Sequence, residues 1–360
     1  MRPVNVYRPL IYGLIPSYDC IAAAMAHLKH TIAMTKTKTQ QKGRTMSHTR
    51  VQAVTDRPGE NALFIVLGLN EGAEAKDSVV DFAAGFSALT RSLINRFPSS
   101  HFNATIGFGA EAWDVLFPDA AKPKELSPFQ AIKGPKYTAV STPGDVFFHI
   151  RADKPALCYE MADLINLQLK DATHSIDAVQ GFRYFDGRAI IGFVDGTENP
   201  EPEIAAEYAL VGDEDPEFTG GSYAFIQKYT HDMDKWRGLS TEEQEKVIGR
   251  KKFNDLELSD EEKPATAHTE VSKARDADGN EVKIMRANMP FANPAKNEYG
   301  TFFIGYARSF SITQQMLTHM FQGDAEGNLD SLLDYCTAET GCLFFMPTVD
   351  FLDDLGDEYA

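Results

Sequence analysis

Cysteine is scarce in this 360-residue sequence, which contains Cys20, Cys158, Cys336 and Cys342. Their spacings match neither a CxxC metal or redox motif nor the CxxCH motif that attaches a cofactor covalently. These absences predict small buried thiols in a cytoplasmic protein, because the cytoplasm is a reducing compartment in which disulfides are rare.

The sequence also lacks an excess of positive charge and long apolar runs. The sequence has 35 Lys and Arg residues against 52 Asp and Glu residues, a formal net charge of −17. This acidic balance argues against nucleic acid or an anionic membrane as the main partner. No stretch reaches the roughly 18 unbroken apolar residues of a membrane span. The hydrophobic fraction of 43% is ordinary for a soluble globular protein, and the length allows about two domains.

The N-terminal segment does not have the pattern of a globular domain. A mildly apolar run is interrupted by Pro16 and Asp19, and the following residues 29–44 are basic and rich in Thr and Gln. We predict a disordered extension over residues 1–50, or an upstream start with Met46 as the true initiator. A cleaved secretory signal is the alternative interpretation.

Strands and helices alternate from residue 62 onward. Compact apolar runs predict strands, apolar residues at helical spacing predict helices, and Pro155 suits the first position of one helix. The helix that begins at Thr241 has a predicted capping box formed by Thr241 and Gln244. The predicted strands are 62–69, 104–108, 137–140, 145–151, 222–229 and 301–307, and the predicted helices are 77–97, 155–170, 241–249 and 313–321.

Two pairs of segments indicate an internal duplication. VFFHIRADKPALCYEMADLI, residues 146–165, aligns with TFFIGYARSFSITQQMLTHMF, residues 301–321, an offset of about 155 residues. AFIQKYTHD similarly resembles LFIVLGLNE. An offset of this length makes each copy a domain rather than a short repeat. We therefore predict two α+β domains of one type, at residues 51–180 and 181–360, each an antiparallel sheet with helices on one face.

The segment GFVDGTENP, residues 192–200, places Asp195 between apolar residues and glycine. Such a pattern predicts a carboxylate carried from a buried strand edge into a tight loop, where the backbone can approach a ligand closely. An aspartate that only caps a turn is the alternative interpretation.

Two histidines are candidate metal ligands. His268 lies in PATAHTEV, residues 264–271, where small side chains would let a planar group approach the backbone. His231 is the competitor, because Asp232 and Asp234 lie beside it and the three could form a metal cluster.

Charged residues also occur in two apolar segments further along the chain. Burial of Arg286 in IMRANMPFANP is costly without an anionic partner, and an edge-strand arginine that reaches solvent is the alternative. The preceding DADGN, residues 276–280, predicts a hairpin turn because it lacks the further ligands of a calcium loop. Asp330 and Asp334 are one helical turn apart in LDSLLDYCTAETGCLFFMP.

These segments together resemble the dye-decolourising peroxidases over about residues 50–355. GFVDGTENP carries the most specific likeness, the R-x-N motif matches Arg286 and Asn288, and the His268 segment matches a P-x-x-S/A-H pattern. The resemblance implies tandem ferredoxin-like domains of the dimeric α/β-barrel type. It also implies haem b, held without covalent bonds in the C-terminal half.

The same resemblance implies roles for individual residues. His268 would be the proximal iron ligand, and Asp330 would accept the hydrogen bond from its Nδ1–H. Asp334 is the alternative acceptor of that hydrogen bond. Asp195, Arg286 and Asn288 would face the peroxide. The further residues expected against the cofactor are Gly196, Thr197 and Phe303. Phe302 and Phe303 both match apolar residues that pack against the cofactor in the family, and a plain core role is the alternative for each. His231 would be structural, because its surrounding string recurs in the family without binding iron.

The predicted function is a peroxidase that uses hydrogen peroxide to oxidise phenolic or dye-like donors. Asp195 would move a proton between the two peroxide oxygens, and Arg286 would stabilise the charge that develops as they separate. A carboxylate shuttle implies activity at acid pH, because the reference pKa of aspartate is about 4. The alternatives are a haem-binding or haem-transfer protein and a hydrolase with a metal held by His231, Asp232, Asp234 and Glu198.

The expected partners are hydrogen peroxide and an aromatic electron donor, with no nucleic acid and no membrane. We also expect a homo-oligomer. The sequence ends in DDLGDEYA, residues 353–360, without the Gly/Ser-rich cargo tail of encapsulin-loaded relatives, which argues against packaging in an encapsulin shell.

Overall fold

The computed structural model describes residues 49–358, which fold around one antiparallel sheet of ten strands. The predictions for the N-terminal extension, for Met46 and for Cys20 lie outside the described residues. The described residues form one compact unit. In the part of the chain that the structure describes, no helix is both long and apolar enough to cross a membrane.

The first half of the fold contains four long strands and three helices. Its elements are β1 (Asn61–Leu69), α1 (Ala73–Arg96), β2 (Asn103–Gly109), α2 (Ala110–Leu116), β3 (Ile132–Lys133), β4 (Thr138–Ala139), β5 (Val146–Ala152), α3 (Pro155–Leu169) and β6 (Thr173–Phe182). Pro155 occupies the start of α3, as predicted, where its missing N–H costs no hydrogen bond.

The second half begins with α4 (Ala205–Ala209) and a 3₁₀ turn (Pro216–Phe218). It continues with β7 (Ser222–His231), α5 (Met233–Arg237), α6 (Thr241–Ile248), α7 (His268–Val271), β8 (Ala274–Arg275), β9 (Glu281–Val282), β10 (Met285–Arg286) and β11 (Met289–Asn293). After the 3₁₀ turn Pro294–Lys296 come β12 (Glu298–Ala307), α8 (Phe310–Gln322), the 3₁₀ turn Ser331–Asp334, β13 (Cys336–Ala338), β14 (Cys342–Met346) and α9 (Val349–Glu358).

The strand order is the same in both halves. The first half runs β6-β1-β5-β2, and the second runs β14-β7-β12 followed by β10 and β11, with every pairing antiparallel. In each half the fourth strand therefore pairs with the first, the first with the third and the third with the second, which is the ferredoxin-like order. The predicted tandem ferredoxin-like fold is confirmed.

The two sheets are joined edge to edge, and the sequence did not predict which strands meet. β14 of the second half pairs with β2 of the first, so that Phe344 lies opposite Gly109 and Phe345 opposite Phe108. At the other end β11 packs beside β6. Edge strands expose unpaired backbone groups, and pairing the edges of two sheets removes that liability. This joining is what the dimeric α/β-barrel type requires.

The duplicated segments occupy equivalent places. The first aligned pair forms β5–α3 and β12–α8, a central strand of each half and the helix that follows it. The second pair forms β1 and β7. β5 is buried on both faces. Phe147 stacks on Phe344 on the face turned away from the long helices, whereas Phe148 packs on Phe82 and Phe86 of α1. A strand covered on both faces is continuously apolar rather than alternating.

Of two local predictions, one is shifted by a residue and the other is confirmed. The capping box of α6 is formed by Ser240 and Glu243, one residue earlier than predicted, because Ser240 accepts from the Glu243 amide and Glu243 accepts from the Ser240 amide. The predicted hairpin turn is present between β8 and β9, where the Asp276 carboxylate accepts from the amides of Asp278 and Asn280. Among the elements of five or more residues, the predictions missed α2, β6, α4, α5, β11, β14 and α9.

The three described cysteines are free and buried, as predicted. Burial raises the pKa of the Cys158 thiol to about 11 and that of Cys342 to about 12. Such thiols stay protonated at neutral pH and pack as small apolar groups.

Candidate active site

A large cavity lies in the second half of the chain, where the sequence predicts the cofactor. It encloses about 1470 Å³ of empty space, counted out to the open solvent at its mouth. Its walls come from the 189–198 loop, α7, β12, α8 and the turn before β13. The predicted site residues that line it are Asp195, Gly196, Thr197, His268, Arg286, Asn288 and Phe303.

His268 and Asp330 form a hydrogen-bonded pair at this cavity, called the proximal pair below. His268 begins α7, and its Nδ1 atom lies 2.6 Å from Oδ2 of Asp330. The His268 side chain is 25% exposed and that of Asp330 is fully buried. Asp330 precedes the 3₁₀ turn Ser331–Asp334 and accepts from the Leu332 amide at 2.9 Å. Because the carboxylate uses Nδ1, Nε2 is the ring nitrogen left for a metal.

Asp334, the other candidate partner of His268, has different neighbours. Its carboxylate accepts hydrogen bonds from Lys136 and Tyr137. Burial alone raises the pKa of the Asp334 carboxyl, but these bonds outweigh it and hold that pKa below its usual range. The hydrogen-bond partner of His268 is therefore Asp330, which lies four residues before Asp334.

A second chain of hydrogen bonds fixes Asp195. The Ile304 amide donates to Oδ1 of Asn288 at 3.1 Å, and Nδ2 of Asn288 donates to Oδ1 of Asp195 at 3.2 Å. Since an ionised carboxylate can only accept, the first bond orients the Asn288 amide so that its NH₂ group faces Asp195. β12 thus positions the Asp195 carboxylate through one intermediate side chain.

The loop that carries Asp195 is not a continuation of a strand, and the prediction of a buried strand edge is wrong. Only Val194 makes an isolated bridge, with Arg188. Gly192 has a φ of 96° and Gly196 a φ of 87°, in the left-handed region that only glycine adopts at little cost. The chain turns sharply on both sides of Asp195 for this reason, and the Asp195 amide donates to Gly187 O at 2.9 Å.

The outer side of the same loop is held by charged groups. Thr197 donates to the Asp255 carboxylate at 2.5 Å, and the Arg250 guanidinium bonds to Glu198 at 2.7 Å and to Asp255 at 2.9 Å. The Thr197 hydroxyl is therefore engaged by protein, although the residue lines the cavity. Sequence reasoning missed Arg250 and Asp255, because their partners lie up to 58 residues away and no local motif marks them.

Arg286 belongs to β10 and is half-buried at the cavity wall. Between residues 49 and 358 no hydrogen bond or ion pair engages its guanidinium. Its backbone, by contrast, is bonded on both sides to the side chain of Asn199. A half-buried cation without a protein partner is positioned to receive an anionic or polarised ligand.

Phe302 and Phe303 are separated by the alternation of the strand. Phe303 lines the cavity, as predicted. Phe302 points to the other face, where it stacks on Phe64 with ring centroids 4.1 Å apart. Phe302 therefore has the core role that was the alternative, since successive side chains of a strand point to opposite faces.

The residues of the alternative hydrolase do not form a metal site, although His231 and Glu198 both line the cavity. Nε2 of His231 bonds to the Thr301 hydroxyl at 2.9 Å, and Asp232 caps α5 by accepting from the Lys235 amide. Within residues 49–358 no three His, Cys, Asp or Glu side chains are arranged to hold a metal ion. Burial lowers the pKa of His231 to about 4, so its ring is neutral at neutral pH.

Comparison with known proteins decides the family. The model of the N-terminal domain of Dyp-type peroxidases matches residues 52–183, and that of the C-terminal domain matches residues 186–351. The chain belongs to the dye-decolourising peroxidase family. The predicted membership and the prediction of a peroxidase are confirmed.

Solved structures of dye-decolourising peroxidases share this fold. The enzyme from Bacteroides thetaiotaomicron is 56% identical, with a TM-score of 0.83 over 86% of this chain and 99% of its own. An encapsulated Dyp-type peroxidase from Mycobacterium smegmatis is 46% identical, with a TM-score of 0.82 over 85% and 98%. A variant of DypB from Rhodococcus jostii RHA1, solved in complex with haem, is 45% identical, with the same TM-score and coverage.

Proposed function

We propose that this peroxidase binds haem b without covalent bonds in the cavity, with His268 as the iron ligand. The proximal pair supports this assignment, because a histidine that binds a metal commonly gives its other ring proton to a carboxylate. A fully buried carboxylate behind the ring makes the imidazole a stronger donor and fixes its tautomer. The haem bound by a 45% identical relative supports the choice of cofactor.

Asp195 is the proton carrier in this proposal. Bound haem supplies the redox chemistry, the two-electron reduction of hydrogen peroxide to water. The Asp195 carboxylate takes the proton from one peroxide oxygen and gives it to the other, which leaves as water. Asn288 keeps that carboxylate turned toward the cavity through its 3.2 Å hydrogen bond.

Arg286 provides the positive charge. As the two peroxide oxygens separate, negative charge builds up on the leaving oxygen, and a preorganised cation lowers the energy of that transition state. The observation that carries the proposed function is this guanidinium, free of protein partners within residues 49–358. It lines the same cavity as the Asp195 carboxylate and the proximal pair.

The electrons come from an aromatic donor of the phenolic or dye-like class. Reduction of one peroxide takes two electrons and two protons, so two donor molecules each lose one electron and one proton. The acidic charge of the chain does not favour anionic macromolecules, and the apolar walls of the cavity suit aromatic rings. The Asp195 shuttle predicts that donor oxidation is fastest at acid pH.

The test compares catalysis with haem release. The purified, haem-loaded protein is assayed for oxidation of a phenol by peroxide and, separately, for transfer of its haem to apomyoglobin. We expect many donor molecules to be oxidised per haem and slow transfer. Rapid haem loss without donor oxidation would instead support a haem-transfer protein.

Location, assembly and packaging are further parts of the proposal. Three buried free thiols support a reducing compartment such as the cytoplasm, and we propose a homo-oligomer there. Size-exclusion chromatography coupled to light scattering measures the molar mass and so the number of subunits. The Mycobacterium smegmatis relative is encapsulated, and absence of packaging in this chain stays a prediction that co-expression with an encapsulin shell tests.

A further inference from the structure

Asn199 makes two hydrogen bonds to the backbone of Arg286. Its Oδ1 atom accepts from the Arg286 amide at 2.9 Å, and its Nδ2 atom donates to the Arg286 carbonyl oxygen at 2.8 Å. The side chain of Asn199 thus occupies the place of a neighbouring strand at the outer edge of β10. Arg286 pairs with Gly305 of β12 on the inner edge. Both backbone groups of Arg286 are satisfied at an edge that would otherwise leave them unpaired.

The same loop makes a second contact with the connection between β10 and β11, just after that strand. Asp195 receives the hydrogen bond from Asn288, two residues after Arg286, and the Asn199 amide closes the turn by donating to Gly196 O at 3.0 Å. Hydrogen bonds at two points therefore connect the loop that carries Asp195 to the segment that carries Arg286. A shift of the loop along the strand would break both ties.

The Arg286 guanidinium depends on its backbone for its position. Within the described chain no side chain or carbonyl group holds its charged end, so the direction of the side chain follows from where β10 places the backbone. Asp195, in contrast, is held directly by Asn288. Between residues 49 and 358, the bonds from Asn199 are the only hydrogen bonds that join the Arg286 residue itself to the loop of Asp195.

We propose that Asn199 is a positioning residue for peroxide reduction. It fixes the Arg286 backbone relative to the Asp195 loop, so that the cation and the carboxylate reach the same peroxide molecule. The inference rests on the roles proposed above for Asp195 and Arg286. Misplacing a catalytic group by about 1 Å can cost about 10²-fold in rate, which sets the scale of the effect.

Asn199→Ala removes both bonds, and Asn61→Ala is the matched control. Nδ2 of Asn61 donates to the carbonyl oxygens of Ala152 and Asp153 in the first half, and Asn61 does not line the cavity. Both substitutions remove an asparagine that bonds only to backbone. A general loss of stability would therefore appear in both variants, and a loss of positioning in Asn199→Ala alone.

The experiment uses haem-loaded protein and two readouts. Stopped-flow mixing with peroxide gives the second-order rate, and titration with cyanide, followed by the Soret shift, gives the affinity for a small ligand beside Arg286. We expect Asn199→Ala to lower the peroxide rate about 10- to 100-fold and to weaken cyanide binding about 10-fold. The KM for the phenol should stay unchanged. Asn61→Ala should match the wild type in all three.

A double variant tests whether Asn199 acts through Arg286. In the Arg286→Leu background, Asn199→Ala should lower the peroxide rate less than twofold, because the group it positions is already gone. Additive losses, or a wild-type rate in Asn199→Ala with Arg286→Leu slow, would overturn the inference and leave the proposed function intact. A wild-type rate in Arg286→Leu would instead overturn the role of Arg286 itself.

Asn199→Asp keeps the test decisive if Asn199→Ala does not retain haem. The aspartate has the same size, keeps an acceptor for the Arg286 amide and loses the donor to the Arg286 carbonyl. We expect a peroxide rate below that of the wild type, because one of the two bonds to the Arg286 backbone is lost. Peroxide rate and cyanide affinity both equal to wild type in a folded, haem-loaded Asn199→Asp would also overturn the inference.

Discussion

The Nδ1 atom of His268 lies 2.6 Å from the Oδ2 atom of Asp330, across 62 residues of chain. The Asp330 side chain is fully buried, and it also caps the 3₁₀ turn that follows it. A buried carboxylate needs such donors to offset its loss of hydration. The bond therefore couples the orientation of the proposed iron ligand to the folding of the segment before β13.

His268→Ala should lose stable haem, because packing alone then holds the cofactor. His231→Ala should keep the Soret band, since His231 bonds to Thr301 rather than to the cofactor in this proposal. The ratio of Soret to protein absorbance after gel filtration measures both. Loss of haem in His231→Ala with retention in His268→Ala would reverse the assignment of the ligand.

Asp330→Asn and Asp334→Asn form a matched pair of substitutions one helical turn apart. The first weakens the hydrogen bond that makes the imidazole a strong donor, and changes to such partners typically cost about 10- to 100-fold in metal affinity or activity. We expect faster haem release and a higher Fe(III)/Fe(II) midpoint potential for Asp330→Asn. Asp334→Asn should leave the potential unchanged, and a shift there of equal size would contradict the geometry.

Asp195→Asn should retain haem and react slowly with peroxide. Loss of a proton shuttle typically costs about 10²–10⁴ in rate, and loss of one preorganised charge about 10²–10³, so Arg286→Leu should be slow as well. Stopped-flow mixing with peroxide measures both rates. A wild-type rate in Asp195→Asn would mean that this aspartate only shapes its turn.

Acid should destabilise the fold partly through His231, whose pKa burial lowers to about 4. An unfolded histidine has a pKa of about 6.5, so the unfolded state binds more protons between these values and stability falls as pH falls through that range. The full loss is about 3 kcal/mol, at roughly 1.4 kcal/mol per pKa unit. His149 adds to it in the same direction, because burial holds its pKa well below the usual range.

Urea unfolding of the wild type and of His231→Gln at pH 7 and pH 4.5 measures how much of the acid-induced loss of folding stability comes from His231. The wild type should lose about 2–3 kcal/mol more stability than His231→Gln between the two pH values. Equal losses would show that His231 is not buried as a neutral ring. The Soret band recorded at each pH separates this loss from haem release.

Much of the fold could be predicted from local patterns. The two copies of the strand–helix unit, β5–α3 and β12–α8, were found by aligning residues 146–165 with residues 301–321, because each copy has the apolar spacing of its own elements. Boundaries shifted where a neighbour decided them. Ser240 rather than Thr241 caps α6 since its hydroxyl reaches the Glu243 amide.

In the candidate site, too, local patterns predicted some features and the tertiary structure decided others. The short motifs around Asp195, His268 and Arg286 have the residue types that peroxide chemistry needs, and their resemblance to one family predicted their grouping. The choice of Phe303 over Phe302 required the register of β12, because alternation shows that only one of them faces the cavity and does not say which.

The sequence by itself determined the family, the repeated strand–helix units and the residues on which the chemistry depends, since each of these is written in short, contiguous patterns. Only the tertiary structure decided that β14 pairs with β2, that Asp330 rather than Asp334 meets His268, and that Asn199 holds Arg286. These are contacts between residues far apart in the chain. Their partners are chosen by packing and by satisfying buried polar groups in three dimensions, which no local pattern records.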